Sequence, residues 1–309
     1  MPLKKVPLVI SGLILGLLGL GNLLKDFSLF LCAICGGLAI IVFLHLLYSM
    51  VIDFNSVKEQ LKNPLVSSVF TTFFMSGFLA TTYLNTFFNK IFFMNNLIVA
   101  IWFICFTAII IHMVIFSIKY LKDFSIENVF PSWTVLYIGI AIAGLTVKTS
   151  GQYWIGQTTV IYGFLATCLV LPVVFKRVRI HPLQSLVKPN TATICAPFSL
   201  VSAAYIVAFP KTNLLVLIIL LILSQFFYFY IIIQLPKLIN RPFSPAFSAF
   251  TFPLVISATA LKNSMSVLLF PEIWKYLLFF EILLATLIVF GVFFSYIKHF
   301  FRTNIFIKF

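Results

Sequence analysis

The sequence predicts an all-α integral membrane protein, ten transmembrane helices forming five hairpins about a central axis, in a single domain over residues 1–309. Three observations carry that prediction. Hydrophobic residues make up 62% of the chain and charged residues 9%, with a mean hydropathy of +1.13, which leaves too little polar surface for a soluble domain. Apolar runs of about twenty residues recur, the length a helix needs to cross hydrocarbon while satisfying its own backbone. Finally, five of these runs begin near a proline (Pro7, Pro64, Pro131, Pro189, Pro242) and end just before a lysine (Lys25, Lys90, Lys148, Lys211, Lys262). A second apolar run follows each lysine and ends in a basic loop. One out-and-back unit repeated five times is the signature of a ring of like parts, and an axis through a membrane implies a pore.

The spans follow in order. The first, 7–24, holds the small-residue run SGLILGLLGLG at 11–21. Lys4 and Lys5 precede it, but no small-residue cleavage site follows, so it reads as a retained span. The second, 27–51, carries Cys32, Cys35 and His45. The third, 64–88, contains SSVFTTFFMSGFLATT at 67–82, and the fourth, 92–118, contains Cys105 and His112. The fifth is 130–147 and the sixth 153–175. The seventh, 190–209, has an interior proline, Pro197. The eighth, 212–235, is the greasy run LLVLIILLILSQFFYFYIII at 214–233, the ninth, 243–261, holds SAFTFPLVISAT at 248–259, and the tenth is 273–298. Gly, Ser, Thr and Pro concentrate in the odd spans, where small residues allow close approach and hydroxyls can solvate a polar path. The even spans suit lipid. The odd helices are therefore expected inside and the even ones outside.

Charge fixes the expected orientation. Lys4, Lys5, Lys58, Lys62, Lys119, Lys122, Lys176, Arg177, Arg179, Lys188, Lys237, Arg241, Lys298, Arg302 and Lys308 fall on one side; Lys25, Lys90, Lys148, Lys211, Lys262 and Lys275 fall on the other. The positive-inside rule then places both termini and the KRVRIHPLQSLVK cluster at 176–188 in the cytoplasm of a multi-pass cell (inner) membrane protein. The net charge of +14 belongs to these loops, so nucleic acid is not an expected partner.

Several functions lack residues to carry them. The five cysteines, which include Cys168 and Cys195, all lie in apolar runs, and the histidines have no metal-binding spacing. No Gly-rich nucleotide loop occurs. Neither an enzyme nor a bound cofactor is expected. Asp26, Asp53, Glu59, Asp123, Glu127 and Glu272 fall in or near loops, and only Glu281 reaches membrane depth, where it reads as a hydrogen-bonding partner at a helix interface. Because the odd spans hold no acid, a path between them does not attract cations. Lys25, Lys90, Lys148, Lys211 and Lys262 would crown its outer mouth and concentrate anions there, though lysines also snorkel at helix ends for anchorage alone. Pro197 and Pro253 are expected to kink their helices, and a kink at Pro253 can turn the preceding Phe252 ring toward the axis.

Three segments resemble the tellurite-resistance/dicarboxylate transporter family, related to bacterial tellurite-resistance channel homologues and plant slow anion channels. They are RPFSPAFSAFTFPL at 241–254, KPNTATICAPFSLVSAAY at 188–205 and PSWTVLYIGIAIAGLT at 131–146. The resemblance implies a quasi-five-fold ring, odd helices lining the pore, Phe252 as its gate, and a homotrimer with one pore per subunit. Phe198 stands where the family has a second proline after Ala-Pro, and Gly16, Gly77 and Gly139 stand as flexible points in the first, third and fifth spans. The expected activity is passage of small inorganic anions such as chloride or nitrate. The alternative is a secondary carrier of dicarboxylates (malate) or tellurite-like oxyanions.

Overall fold

The computed structural model describes residues 5–301, and among them the regular elements are all helical. Lys4, Arg302 and Lys308 of the charge count lie outside the described residues. The chain runs through α1 (Ser11–Leu24), α2 (Leu29–Ile52), α3 (Phe54–Leu61), α4 (Pro64–Phe88), α5 (Met94–Leu121), α6 (Trp133–Ile138), α7 (Ile142–Leu145), α8 (Val147–Ser150), α9 (Tyr153–Ile180), α10 (Ala196–Ala208), α11 (Leu214–Ile239), α12 (Thr251–Met265) and α13 (Ile273–Phe301). Segments of 3-10 helix, Leu8–Ile10, Ser185–Cys195 and Pro245–Phe250, lead straight into α1, α10 and α12, and Gly139–Ala141 joins α6 to α7.

Among the described residues, eight helical passages are long and apolar enough to cross a membrane: α2, α4, α5, α9, α11 and α13, and α10 and α12 with their 3-10 leads. The first and fifth passages are shorter, Leu8–Leu24 and Trp133–Leu145. The fifth is not the single helix its sequence predicts. It breaks at Gly139–Ala141 and again at Thr146. A 3-10 turn rises about 2.0 Å per residue against 1.5 Å in an α-helix. Leu8–Leu24, and the fifth passage carried on through α8 to Ser150, therefore each extend roughly 27–29 Å, close to the thickness of a hydrocarbon core. The loop after α2 also differs from expectation, forming the amphipathic α3, whose N-terminus is capped when the Asp53 carboxylate accepts from the Ser56 N–H.

Contacts follow the repeat. α1 lies on α2, α4 on α5, α6 and α7 on α9, α10 on α11, and α12 on α13. The proline-led passages also touch one another in a cycle: α1 with α4, α4 with α6, α6 and α7 with α10, α10 with α12, and α12 with α1. Burial separates the two sets. Every residue of α1 except Asn22 is buried. α5 instead buries one stripe, Met94, Ile98, Trp102, Ile109, Phe116 and Tyr120, at the four- and seven-residue spacing of a single helix face. Its other faces present Ile104, Ile111, Ile115 and Ile118 outward.

Small residues set the close contacts. A Cβ at Gly16 would stand 2.3 Å from Thr251 Oγ1, and one at Gly139 would stand 2.8 Å from Met75 Sδ. These glycines, like Gly77 against Cys105 Sγ at 2.3 Å, are points of tight approach rather than free joints. The one positive φ among the described residues, +71° at Gly151, ends α8 in a left-handed turn.

Candidate functional site

Polar side chains stitch the inner passages together near their proline-led ends. Ser11 Oγ and Thr72 Oγ1 are 2.7 Å apart between α1 and α4, and Ser68 Oγ and Ser132 Oγ are 2.7 Å apart between α4 and α6. The Asn190 side-chain carbonyl accepts the Ser132 N–H at 3.0 Å, and the Thr134 hydroxyl donates to the Thr193 carbonyl at 3.3 Å. Cys195 Sγ lies 3.5 Å from the Pro253 carbonyl, joining the α10 lead to α12. The ring closes where Ser248 donates to the Val9 carbonyl at 2.7 Å and Thr251 to the Gly12 carbonyl at 2.9 Å. Successive links join residues 58 to 64 apart, the repeat interval made physical. Hydroxyls expected to solvate a path thus spend their protons on neighbouring helices and on their own backbone carbonyls.

Inside this belt lies a cavity to which all five inner passages contribute. Gly12 comes from the first; Val69, Thr72 and Met75 from the second; Thr134, Val135, Ile138 and Gly139 from the third. Thr193, Ala196, Pro197 and Leu200 come from the fourth, and Ser248, Ala249, Phe252 and Pro253 from the fifth. Its volume is about 30 Å³, room for one or two waters, and no charged side chain lines it. Phe252 is 6% exposed. Its ring lies over Gly19 of α1, where a Cβ would stand 3.3 Å from Phe252 Cδ2.

Pro197 and Pro253 stand in the first turns of α10 and α12, where 3-10 helix gives way to α-helix, rather than deep within a uniform helix. Neither proline has an N–H, and the Thr193 carbonyl four residues before Pro197 is taken up by the Ala196 N–H and the Thr134 hydroxyl. Because Ala196, Pro197, Phe252 and Pro253 line the cavity, it faces the junctions where two 3-10 leads pass into α10 and α12.

At the lysine-bearing ends the five cations differ. Lys90, Lys148 and Lys211 are exposed. Lys25 donates to the Thr86 hydroxyl of α4 at 2.9 Å. Lys262 pairs with Asp26 at 2.6 Å and donates to the Leu23 carbonyl at 3.0 Å, so Asp26 offsets its charge. Lys25 and Lys262 thereby hold neighbouring inner helices together.

The remaining sequence candidates lie away from the cavity. Cys32, Cys35, Cys105, Cys168 and Cys195 are all free thiols. His45 on α2 bonds Tyr296 of α13 at 2.5 Å, and His112 Nε2 meets the Ser67 carbonyl at 2.8 Å; both brace helix against helix. Glu281 is fully buried and faces Gln225 of α11 and Ser257 of α12, the helix-interface setting expected of it, but without a hydrogen bond of normal geometry. Its carboxylate oxygens, both polar atoms of the Gln225 amide, Tyr228 OH and Ser257 Oγ are buried without a hydrogen bond. Sequence reasoning missed Gln225, although it is the one amide in the apolar run at 214–233 and was open to notice for that reason.

Compared with known proteins, the sequence matches the voltage-dependent anion channel family over residues 5–297. No curated protein matches it.

Proposed function

The chain belongs to the voltage-dependent anion channel family, and we propose that it is a passive channel for small inorganic anions such as chloride or nitrate. On this reading the five hairpins form a quasi-five-fold pore along the cycle of inner passages, with the proline-led ends and both termini in the cytoplasm of the cell (inner) membrane. The observation that carries it is the uncharged cavity shared by all five inner passages, with Phe252 in its wall. A neutral wall binds an anion weakly, and weak binding is what rapid passage needs. Phe252 is the gate: its ring lies against Gly19 at the cavity wall, and rotation of that ring frees the axis. Pro197 and Pro253 shape the path by ending the 3-10 leads beside it. Lys25, Lys90, Lys148, Lys211 and Lys262 raise the anion concentration at the outer mouth. A homotrimer with one pore per subunit is carried over from the family resemblance.

Replacing the ring tests the gate. Phe252→Ala in liposomes should raise chloride or nitrate flux by an order of magnitude or more, since about 1.4 kcal/mol of lost occlusion corresponds to tenfold. Flux at or below that of the parent removes Phe252 from the gate.

A second reading, a coupled carrier of dicarboxylates or tellurite-like oxyanions, is favoured by one observation, the buried carboxyl of Glu281. Carriers show counterflow and saturation with malate; channels show neither.

A further inference from the structure

Four polar side chains from three different helices meet behind α12, away from the cavity. Glu281 of α13 is 0% exposed, Ser257 of α12 and Tyr228 of α11 are equally buried, and Gln225 of α11 is 8% exposed. The Gln225 amide and the Ser257 hydroxyl face the carboxylate, and Tyr228 and Cys195 lie within its electrostatic reach. None of the oxygens of Glu281, Gln225, Tyr228 and Ser257 has a hydrogen bond of normal geometry. Such a group of buried polar atoms is costly unless something satisfies it.

The charges around Glu281 narrow what that something is. From the elements against α13, the titratable groups that face it are Cys195 of the α10 lead and Tyr228 of α11, both without charge as thiol and phenol. α12 presents Ser257, and α1 holds no ionisable side chain. The histidine of α2, His45, bonds Tyr296, fifteen residues and roughly 22 Å further along α13, and His299 lies beyond that. No lysine or arginine is among these neighbours. A carboxylate in such a place needs its charge cancelled, and a proton is the smallest ligand that cancels it. As an acid, Glu281 has one O–H to give, and the Gln225 carbonyl and Ser257 Oγ are acceptors facing it.

The cluster also touches the cavity wall from behind. Ser257 follows Pro253 by four residues and so shares its face of α12. The Pro253 carbonyl is bonded by Cys195, two residues before Pro197. Phe252 points about 140° around the helix from Ser257, onto Gly19.

We propose that Glu281, Gln225, Tyr228 and Ser257 form a proton-binding site, and that its loss of the proton lowers anion passage by placing a negative charge behind α12. The first half stands by itself; the second rests on the channel reading. The loaded site leaves the wall neutral and α12 seated against α10. The unloaded site sets a fixed negative charge in a medium of low dielectric, which opposes an anion beside Phe252.

Two measurements on the reconstituted full chain separate the halves. Difference infrared spectroscopy from about pH 5 to pH 9 should show one buried carboxyl band that titrates in the parent and is lost in Glu281→Gln. Chloride flux over the same range should fall several-fold with rising pH in the parent and stay at its acid level in Glu281→Gln. Tyr228→Phe and Ser257→Ala, milder changes, should shift the midpoint of both curves without abolishing either. A band and a flux profile that are the same in the parent and all three variants overturn the proposal. If the parent passes no anion, the channel reading fails, while the band still decides the proton site. A titrating band lost in Glu281→Gln beside a flux that ignores pH overturns the link to α12 and leaves the site.

Discussion

α12 divides two kinds of buried polarity. On the side toward α1, the lead residue Ser248 and Thr251 each donate to a carbonyl of the neighbouring passage, at 2.7 and 2.9 Å. On the side toward α11 and α13, about 120° round from Thr251, Ser257 joins Gln225, Tyr228 and Glu281 in a group without a hydrogen bond of normal geometry. Composition is similar on the two sides, hydroxyls among small apolar residues. What differs is whether the partners are already supplied. A hydroxyl that spends its proton on a carbonyl one helix away is a fastener, and it has little left for a ligand. A group left unsatisfied is costly for the fold and is available for binding.

Crowding the fastened side tests the contrast most strongly. Gly16→Val places side-chain atoms where Thr251 Oγ1 already stands 2.3 Å from a Cβ position. Overpacking of this kind costs about 1–3 kcal/mol, and thermal unfolding in detergent should show a markedly lower midpoint. An unchanged midpoint means the two helices are not in contact there. Thr251→Val comes next, since it keeps the shape and removes the donor to the Gly12 carbonyl. Interhelical hydrogen bonds in membranes average about 0.6 kcal/mol, so the midpoint should drop modestly. Ser257→Ala, the matching change on the other side, removes a hydroxyl without a hydrogen bond of normal geometry and should cost less stability than Thr251→Val; destabilisation equal to that of Thr251→Val would erase the distinction. The smallest effect is at the far ends. Neutralising the exposed Lys90, Lys148 and Lys211 together should reduce anion conductance at low salt and do little at physiological salt, where screening reaches about 8 Å. Equal conductance at low salt leaves these lysines with anchorage alone.

Much of this architecture is legible in the sequence because the chain repeats itself. The Pro-to-Lys interval marks out the successive passages, and the small, hydroxylated odd spans are the ones found buried, with α1 and α5 at the extremes. Phe252 and Pro253, conspicuous in the sequence as an aromatic before a proline, both line the cavity. Other features depend on distant partners. The 3-10 leads Ser185–Cys195 and Pro245–Phe250 read as ordinary helix starts, because tight winding there is held by bonds such as Ser132 to Asn190 across 58 residues. The 3-10 turn at Gly139–Ala141 lies where Met75 of α4 packs against Gly139. Asp26 offsets Lys262 rather than the adjacent Lys25, a choice that no local pattern announces. Glu281 is conspicuous as the one deep acid, but the groups that face it come from α11 and α12.

The seam between α1 and α12 also bears on how the chain is made. Its bonds join residues 239 apart, whereas the other inner seams join neighbours one repeat away. At about 5–20 residues per second of synthesis, α1 is complete roughly 12–50 s before its last partner emerges. During that interval Gly12, Gly16 and Gly19 present an unmatched edge, which the next inner helix, α4, covers only on one side. Until α12 is made, the cycle of contacts among the proline-led passages is open at the α1 edge. A ribosome stalled before residue 251 would leave that edge exposed to whatever quality-control machinery surveys unpaired helices in the bilayer.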